Sequence, residues 1–486
     1  NDEGVFKATA SGTLPSGQPV IVNADGTVSV VGVTAQALGS AAVFESASTD
    51  NLGATFDSNS NKVVISYRDE GNSNYGTAVV GTVDAADNSI SFGTPVVFES
   101  ADTRDSRAVF DSNSNKVVIV YGDNGNSRHG TAIVGTVSGT GISFGSAVVF
   151  ESASTLAIGA TFDSNSNKVV ISYNDNGNSG YGTAIVGTVS GTGISFGSAA
   201  IFETALSYNT SPTFDSTANK VLISYTDGGN SSYGTSIVAT VSGTSISFGT
   251  AAVFETANSV AISSAFDSVN NKVVICYGDV GNSQYGTAIV ATISGTSVSF
   301  GSATVFANNG SIGKTSTVFD TNANKIVVSY KDSGNSGYGT LAVGTVSGTS
   351  ISFATPVVFE AASVSSLIST FDSNSGRVVT AYEDTGNSNY GTGIVFQNAS
   401  TNLTAENYIG MSGGVVDVNS VSQALGSAVV FESAGVKLAS TFDSNLNKVV
   451  IGYQDAGNSF YGTAIVGTVS GTSISFGTPV VFSSAN

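Results

Sequence analysis

The chain has no tryptophan, one cysteine, one methionine, one histidine and six prolines in 486 residues. A single thiol, Cys276, excludes a disulfide within the chain. It stands where other copies of a repeat carry Ser66, Val120, Ser172 or Ser224, so it reads as a small buried residue. His129 has no cysteine or second histidine with which to build a metal site. Charge is scarce and one-sided: charged residues make up 10%, with 16 Lys and Arg against 35 Asp and Glu, for a formal charge of −19. Such a chain is a poor general binder of nucleic acid or anionic membrane, and neither is expected as a partner. There is no apolar run long enough to span a bilayer, so membrane insertion is not expected. The first ten residues, NDEGVFKATA, lack the basic start and apolar core of a signal peptide, although a mature or truncated terminus would look the same.

Glycine and small apolar residues are abundant: 58 Gly, with a hydrophobic fraction of 41%. They are organised by one stretch, Phe56–Gly76, FDSNSNKVVISYRDEGNSNYG. Variants begin at Phe110, Phe162, Phe214, Phe266, Phe319, Phe371 and Phe442, at spacings of 54, 52, 52, 52, 53, 52 and 71 residues. A glycine-rich period of about 50 residues points to a propeller or array. Each unit reads as four antiparallel strands: A, 53–57; B, 62–69; C, 76–83; and D, 89–99. Val63-Val-Ile-Ser-Tyr67 is apolar or small on both faces, as a strand sandwiched between blades must be. The expected fold is therefore an all-β propeller of four-stranded blades. The aromatics fit a framework role. Of 27 Phe, eight begin the FD motif, seven lie in the SF of strand D and nine in the VF that follows. Of 17 Tyr, eight end strand B and seven precede the glycine of strand C, leaving Tyr208 and Tyr408 outside the pattern.

Residues 1–35 lie outside the repeat and read as a small N-terminal β module, and residues 36–486 as the propeller, with an insertion at 397–426. Gln423-Ala-Leu-Gly-Ser echoes Gln36-Ala-Leu-Gly-Ser, and nine VF strands serve eight A–B–C units, so one D strand is spare. Two closures are open. In the preferred one, eight blades form the ring, because a lone blade would have two exposed faces and no partner. In the alternative, the strand at 41–47 completes the unit at 366–396 and seals a seven-bladed ring, leaving 427–486 as an extra repeat; this is the better reading if the chain is a fragment. The spare edge is a template for strand addition, so a homo-oligomer is expected.

The repeat VVFESA…FDSNSNKVVISY, continuing GTAIVGTVSGTSISFG, resembles propeller-like repeats in virion proteins of marine tailed phages. The entry segment FKATASGTLPSGQPVIVNADGTVSVV and the insert TNLTAENYIGMSGG resemble flanking segments of the same group, in which the insert-type segment usually follows the repeats rather than preceding another. The resemblance implies a virion surface or appendage protein, such as a tail fibre component, with other virion or filament subunits as partners and an extracellular location. It carries over no catalytic residues.

No cofactor is expected. Calcium is the one candidate: the A–B turn Asp57-Ser-Asn-Ser-Asn61 offers an oxygen ligand at every second position. It lacks the later glycine and the distal bidentate glutamate of a calcium loop, and a side-chain-capped hairpin explains it as well. The Asp that ends strand B recurs as Asp69, Asp123, Asp175, Asp227, Asp279, Asp332, Asp384 and Asp455, and can equally cap the turn that follows. There is no Asp-box, triad, P-loop or dinucleotide fingerprint, so an enzyme is not expected. The repeats differ from one another mainly in the D–A and B–C loops, which an up-down blade places on one face. Loops on a rigid scaffold are where binding concentrates, so this face is the expected recognition surface for a host glycan or protein. Eight of the 16 cations end the A–B turns; the others are Lys7, Arg68, Arg104, Arg107, Arg128, Lys314, Lys331 and Lys437. Arg68, Arg104, Arg107, Arg128 and His129 belong to the first two repeats and form the candidate site for an anionic group. The competing reading is local pairing with Asp69, Glu70, Asp102, Asp105 and Asp123.

Overall fold

The computed structural model describes residues 33–401 without a break, and residues 10, 20–22, 27–30, 408–412, 415–417, 430–433, 435–443, 448–470 and 473–484. The chain divides into two compact units, Val33–Thr401 and the combination of Asn1–Gly32 with Asn402–Asn486.

In the larger unit the repeat builds its blade as the apolar pattern demands. Strand B, Lys62–Asp69, pairs with strand C, Tyr75–Asp84, through Val63↔Gly81 to Asp69↔Tyr75. Strand C then pairs with a short strand, Ser89–Phe92, and with the start of a long one, Val96–Asp111. Strand D is thus not the single strand 89–99 expected from sequence. It breaks at Gly93-Thr94-Pro95, as other blades break at Gly145-Ser146-Ala147 and Gly197-Ser198-Ala199. The long strand runs on without a loop: Val97 faces Thr77 in one blade and Phe110 faces Val117 in the next. What the sequence presents as a variable D–A loop is a bulged continuation of strand, 16 residues long in most repeats.

The ring closes after seven sheets, not the eight preferred from sequence. Strand Ala42–Asp57 pairs with Tyr390–Gln397 through Thr392↔Val43 and Gly393↔Ala42. Ala37–Leu38 pairs beyond it through Phe396↔Leu38, taking the place of the short outer strand. The reason is local. After Gln397 the chain has no C–D hairpin of its own, so the edge of the seventh blade is open to the N-terminal segment: Ala37–Leu38 supplies the short strand and Ala42–Asp57 the long one.

Neighbouring blades share their cores. Val63, Val64, Ile65 and Tyr67 are completely buried. Val64 and Val80 of the first blade pack with Ile119 and Tyr121 of the second. Each VF phenylalanine stacks on the tyrosine of the following blade, as in Phe44–Tyr67 at 5.2 Å and Phe98–Tyr121 at 5.2 Å. The glycine of the Tyr-Gly pair admits that ring: a Cβ on Gly76 would lie 2.5 Å from Phe98. Burying each such aromatic contributes about 1.5–3 kcal/mol.

In the smaller unit, Val28–Val30, Val20–Val22, Tyr408–Ser412 and Val415–Asp417 form one four-stranded sheet. The two interruptions of the repeat therefore pair with each other, through Val20↔Ile409. Much of the expected 1–35 module, and residues 402–407, 413–414 and 418–426 of the expected insertion, lie outside the described residues. The eighth repeat forms a separate sheet of Gly435–Asp443, Lys448–Asp455, Tyr461–Ser470, Ser473–Phe476 and Val480–Ser483. Its pairings repeat those of the ring blades; Val449↔Gly467 matches Val63↔Gly81.

Candidate binding site at the mouth of the ring

The innermost strand of each blade lines the axis. Three residues before each FD phenylalanine stand Gly53, Arg107, Gly159, Ser211, Ser263, Ser316 and Ile368. All of these but Gly53, with Ala54 in its place, line an axial cavity of about 190 Å³. Hydroxyls link successive blades around it: Ser66 and Ser106 lie 2.7 Å apart, Ser263 and Thr315 2.8 Å, and Ser329 and Ser369 2.6 Å. These bonds let small polar side chains sit beside a channel without leaving buried groups unpaired.

Above the axis lies a wider cavity of about 630 Å³, on the side where the bulges and B–C turns emerge. Its wall includes Arg107, Arg128, Lys314, Asp105, Tyr208 and Asn209. In five of the seven ring blades the bulge places one residue in left-handed backbone: Asn51 at φ 51°, Asp105 at 52°, Ala157 at 48°, Asn209 at 49° and Ala261 at 51°. Alanine is rare there, and the strain, about 1–3 kcal/mol each, is held by the ladders on either side.

The five residues singled out from sequence do not act as one cluster. Arg68 Nε donates to Asp102 Oδ1 at 2.7 Å, and its guanidinium also pairs with Glu70. Arg104 meets the other oxygen of Asp102 at 3.4 Å. Burial works to raise the Asp102 carboxyl, but hydrogen bonds from Arg68 and Asn124 and the charges of Arg68 and Arg104 hold it below its usual range. Arg128 Nη2 donates to Asp105 Oδ2 at 2.8 Å, while its Nε is buried without a partner. His129 takes the ladder position of the usual tyrosine, opposite Asp123 and Ser154. Local pairing thus accounts for Arg68 and Arg104, and in part for Arg128. Arg107 is different. Its Nη1 donates to the Ser106 carbonyl at 2.8 Å, and among the described residues no carboxylate lies within ion-pair distance. Burial pushes its guanidinium below its ordinary value, against the charge of Asp105. Of the five, only Arg107 and Arg128 line the cavity; Lys314 and Tyr208 join them. The wall therefore carries three cations and one carboxylate, in a chain of formal charge −19. The sequence did flag both added residues, Lys314 as a cation outside the A–B turns and Tyr208 as a tyrosine outside the aromatic pattern. It did not place them opposite Arg107.

The other candidate groups are engaged in turns and cores. Asp57 Oδ1 accepts the amides of Asn59 and Ser60 at 2.9 and 3.0 Å, and Asp69 accepts that of Asn72 at 3.1 Å. Tyr67, Tyr121 and Tyr225 each donate to a glutamate, Glu45, Glu99 and Glu203, at 3.1, 3.0 and 3.0 Å. Burial first, then the glutamate charge, drives these phenols far above their usual range, which suits packing and not nucleophilic attack. Burial pushes the Cys276 thiol up to about 12.

No protein-family model matches the chain, and no curated protein matches it. Among solved structures it is similar to the BP39L lectin from Burkholderia pseudomallei, with a TM-score of 0.54 at 8% identity over 74% of this chain and 98% of that one. It is also similar to AofleA from Arthrobotrys oligospora (TM-score 0.42, 9% identity, 71% and 97% covered). A third likeness is to the NanB sialidase from Streptococcus pneumoniae (TM-score 0.43, 13% identity, 73% and 69% covered). With the closed circuit of antiparallel blades, the likeness to the BP39L lectin identifies the chain as a β-propeller repeat protein.

Proposed function

We propose that the protein is a non-enzymatic recognition module that binds an acidic glycan in the cavity at the mouth of the ring. The observation that carries this reading is Arg107: a guanidinium without a carboxylate partner, in a wall that also holds Arg128, Lys314 and the half-exposed ring of Tyr208. Arginine suits bidentate contact with a carboxylate or sulfate, and an aromatic face suits the apolar side of a sugar. The lectin likeness supports a glycan as the ligand. The resemblance of the repeat to phage virion repeats supports host-surface recognition from a virion appendage. The engagement of the repeated tyrosines and aspartates in cores and turns supports binding without bond cleavage.

The test is a glycan array read with the parent and with Arg107→Ser. The parent is expected to select uronic-acid, sialylated or sulfated glycans, with binding that weakens as salt rises. Losing one charge-assisted contact should weaken that binding roughly ten- to a hundredfold. Equal binding by parent and variant, or selection of neutral glycans only, would sink the reading.

A further inference from the structure

The axis of the ring holds one charge without a carboxylate partner. Among the described residues, Arg107 is the only charged side chain lining the axial cavity. The equivalent positions of the other blades are Gly53, Gly159, Ser211, Ser263, Ser316 and Ile368, so blade packing does not require a cation there. Of the five N–H groups of this guanidinium, one donates from Nη1 to the Ser106 carbonyl at 2.8 Å; the others have no acceptor among the described residues. The carboxylate whose charge acts on it, Asp105, is already bound by Arg128 Nη2 at 2.8 Å. Most hydroxyls of the cavity are committed as well. Thr210 donates to the Ala157 carbonyl at 2.7 Å, and Ser263 pairs with Thr315 at 2.8 Å and with Thr317 at 2.7 Å. Ser264 pairs with Ser211 at 2.8 Å and with Thr213 at 2.7 Å. Ser316 differs. It is buried, its Oγ accepts from the Ser369 amide at 2.9 Å, and its own proton has no acceptor among the described residues.

A cavity of about 190 Å³ has room for several waters, and is smaller than the roughly 300–1,000 Å³ of pockets that enclose drug-sized ligands. A small oxyanion suits that volume. It brings what the wall lacks: acceptors for the free N–H groups and the Ser316 proton, and negative charge beside a guanidinium that burial otherwise disfavours. We propose that the axial cavity binds one small oxyanion, a sulfate, phosphate or carboxylate group, between Arg107 and Ser316. One is expected per ring, because one blade alone brings a cation to the axis. Such a group has two sources, a free ion or the acidic end of a bound glycan, and for the second source the site rests on the glycan reading. The cavity adjoins the wider one at the mouth, since Arg107, Thr210, Ile262 and Thr315 line both. A glycan seated at the mouth then passes its anionic group down to Ser316, a contact that binding at the mouth alone does not require.

The experiment is a calorimetric titration of the full chain with sodium sulfate, against sodium chloride of equal ionic strength, repeated with Arg107→Ser, Ser316→Gly and Arg104→Ser. The first two substitutions copy residues that other blades carry at the same position, so both should fold; the melting of the ring provides the check. The parent is expected to bind sulfate saturably, one per chain. Arg107→Ser should abolish the saturable phase and Ser316→Gly should weaken it roughly tenfold or more. Arg104→Ser removes the same charge from outside the cavity and should change it less than about threefold. Selenate in crystals, located by anomalous scattering, should lie between Arg107 and Ser316. No saturable binding, equal binding by the parent and both axial variants, or selenate away from these two residues would each overturn the proposal. An acidic glycan separates the sources: displacement of the glycan by sulfate assigns the site to its anionic group, and glycan and sulfate bound together assign it to a free ion. Sulfate binding in a protein that selects no acidic glycan would sink the glycan reading alone. Arg107-dependent glycan binding without sulfate binding would sink the axial site alone.

Discussion

The first seven repeats and the eighth are nearly the same sequence in two settings. In the ring, Val134 and its equivalents are sealed between blades; in the eighth repeat Val466, with the same strand pairing, faces solvent. Hydrogen-bond ladders are therefore not what distinguishes the two. The blade fixes its strands by local pairing, but the apolar face that holds Val466 and Phe482 is buried in the ring only by the following blade. That is the general economy of repeat proteins, in which stability is the sum of unit and interface contributions.

The comparison is sharpened most by placing a carboxylate on both sides of it. Val134→Asp puts an unpaired charge between two ring blades and should cost about 4 kcal/mol or more, against a total of roughly 5–15 kcal/mol for a domain. Val466→Asp should change the melting of the ring by less than about 0.5 kcal/mol. Thermal unfolding of the two variants reads this difference directly, and similar effects at both sites would break the comparison.

The next largest effect separates Arg107 from its neighbours in the same two blades. Arg107→Ser should weaken binding of an acidic glycan roughly ten- to a hundredfold, whereas Arg104→Ser, removing a pair that Asp102 already shares with Arg68, should change it less than about threefold. A binding titration at fixed salt distinguishes them.

A smaller effect follows from pH. Glu45, Glu99 and Glu203 are held above the usual carboxylate range, first of all by burial, with the tyrosine hydrogen bonds working the other way. The folded state then holds protons that the unfolded chain has released. The stability this contributes is complete below the unfolded value and is lost as pH rises through the raised folded values. Changing all three to Gln should flatten that slope in melting curves taken from acid to neutral pH. An unchanged slope would place its origin elsewhere.

The smallest expected effect uses a natural omission. The sixth VF strand carries Ala307 where the other six ring strands carry the glutamate, so Tyr330 has no carboxylate partner among the described residues, whereas Tyr382 donates to Glu360 at 2.9 Å. Tyr382→Phe should cost about 0.5–1.5 kcal/mol and Tyr330→Phe distinctly less. Denaturant unfolding of the pair measures it.

Much of this fold is legible in the sequence, because period, strand pattern and turn chemistry all report short-range order. The B strand Lys62–Asp69 and the A–B hairpin capped by Asp57 lie where the pattern puts them. Ring closure was less legible. It depends on which edge Ala42–Asp57 joins, some 350 residues away, and the seven- and eight-bladed alternatives share every local signal. The D–A connection differs from the expected loop for a related reason: variable polar residues look like a loop, but here they lie along a continuous strand interrupted by bulges. At the site, composition and the repeat comparison picked out the cations, two of which, Arg107 and Arg128, line the cavity. Which of them already have partners depends on side-chain geometry, so Arg68, Arg104 and Arg107 looked alike until Asp102 was seen to hold the first two.

The most direct test of the recognition site is the structure of the protein with an acidic oligosaccharide selected by the array. The account predicts the sugar in the mouth of the ring, with its anionic group on Arg107 and a ring face against Tyr208. A ligand seated on the outer strands of the blades, with Arg107 untouched, would contradict it.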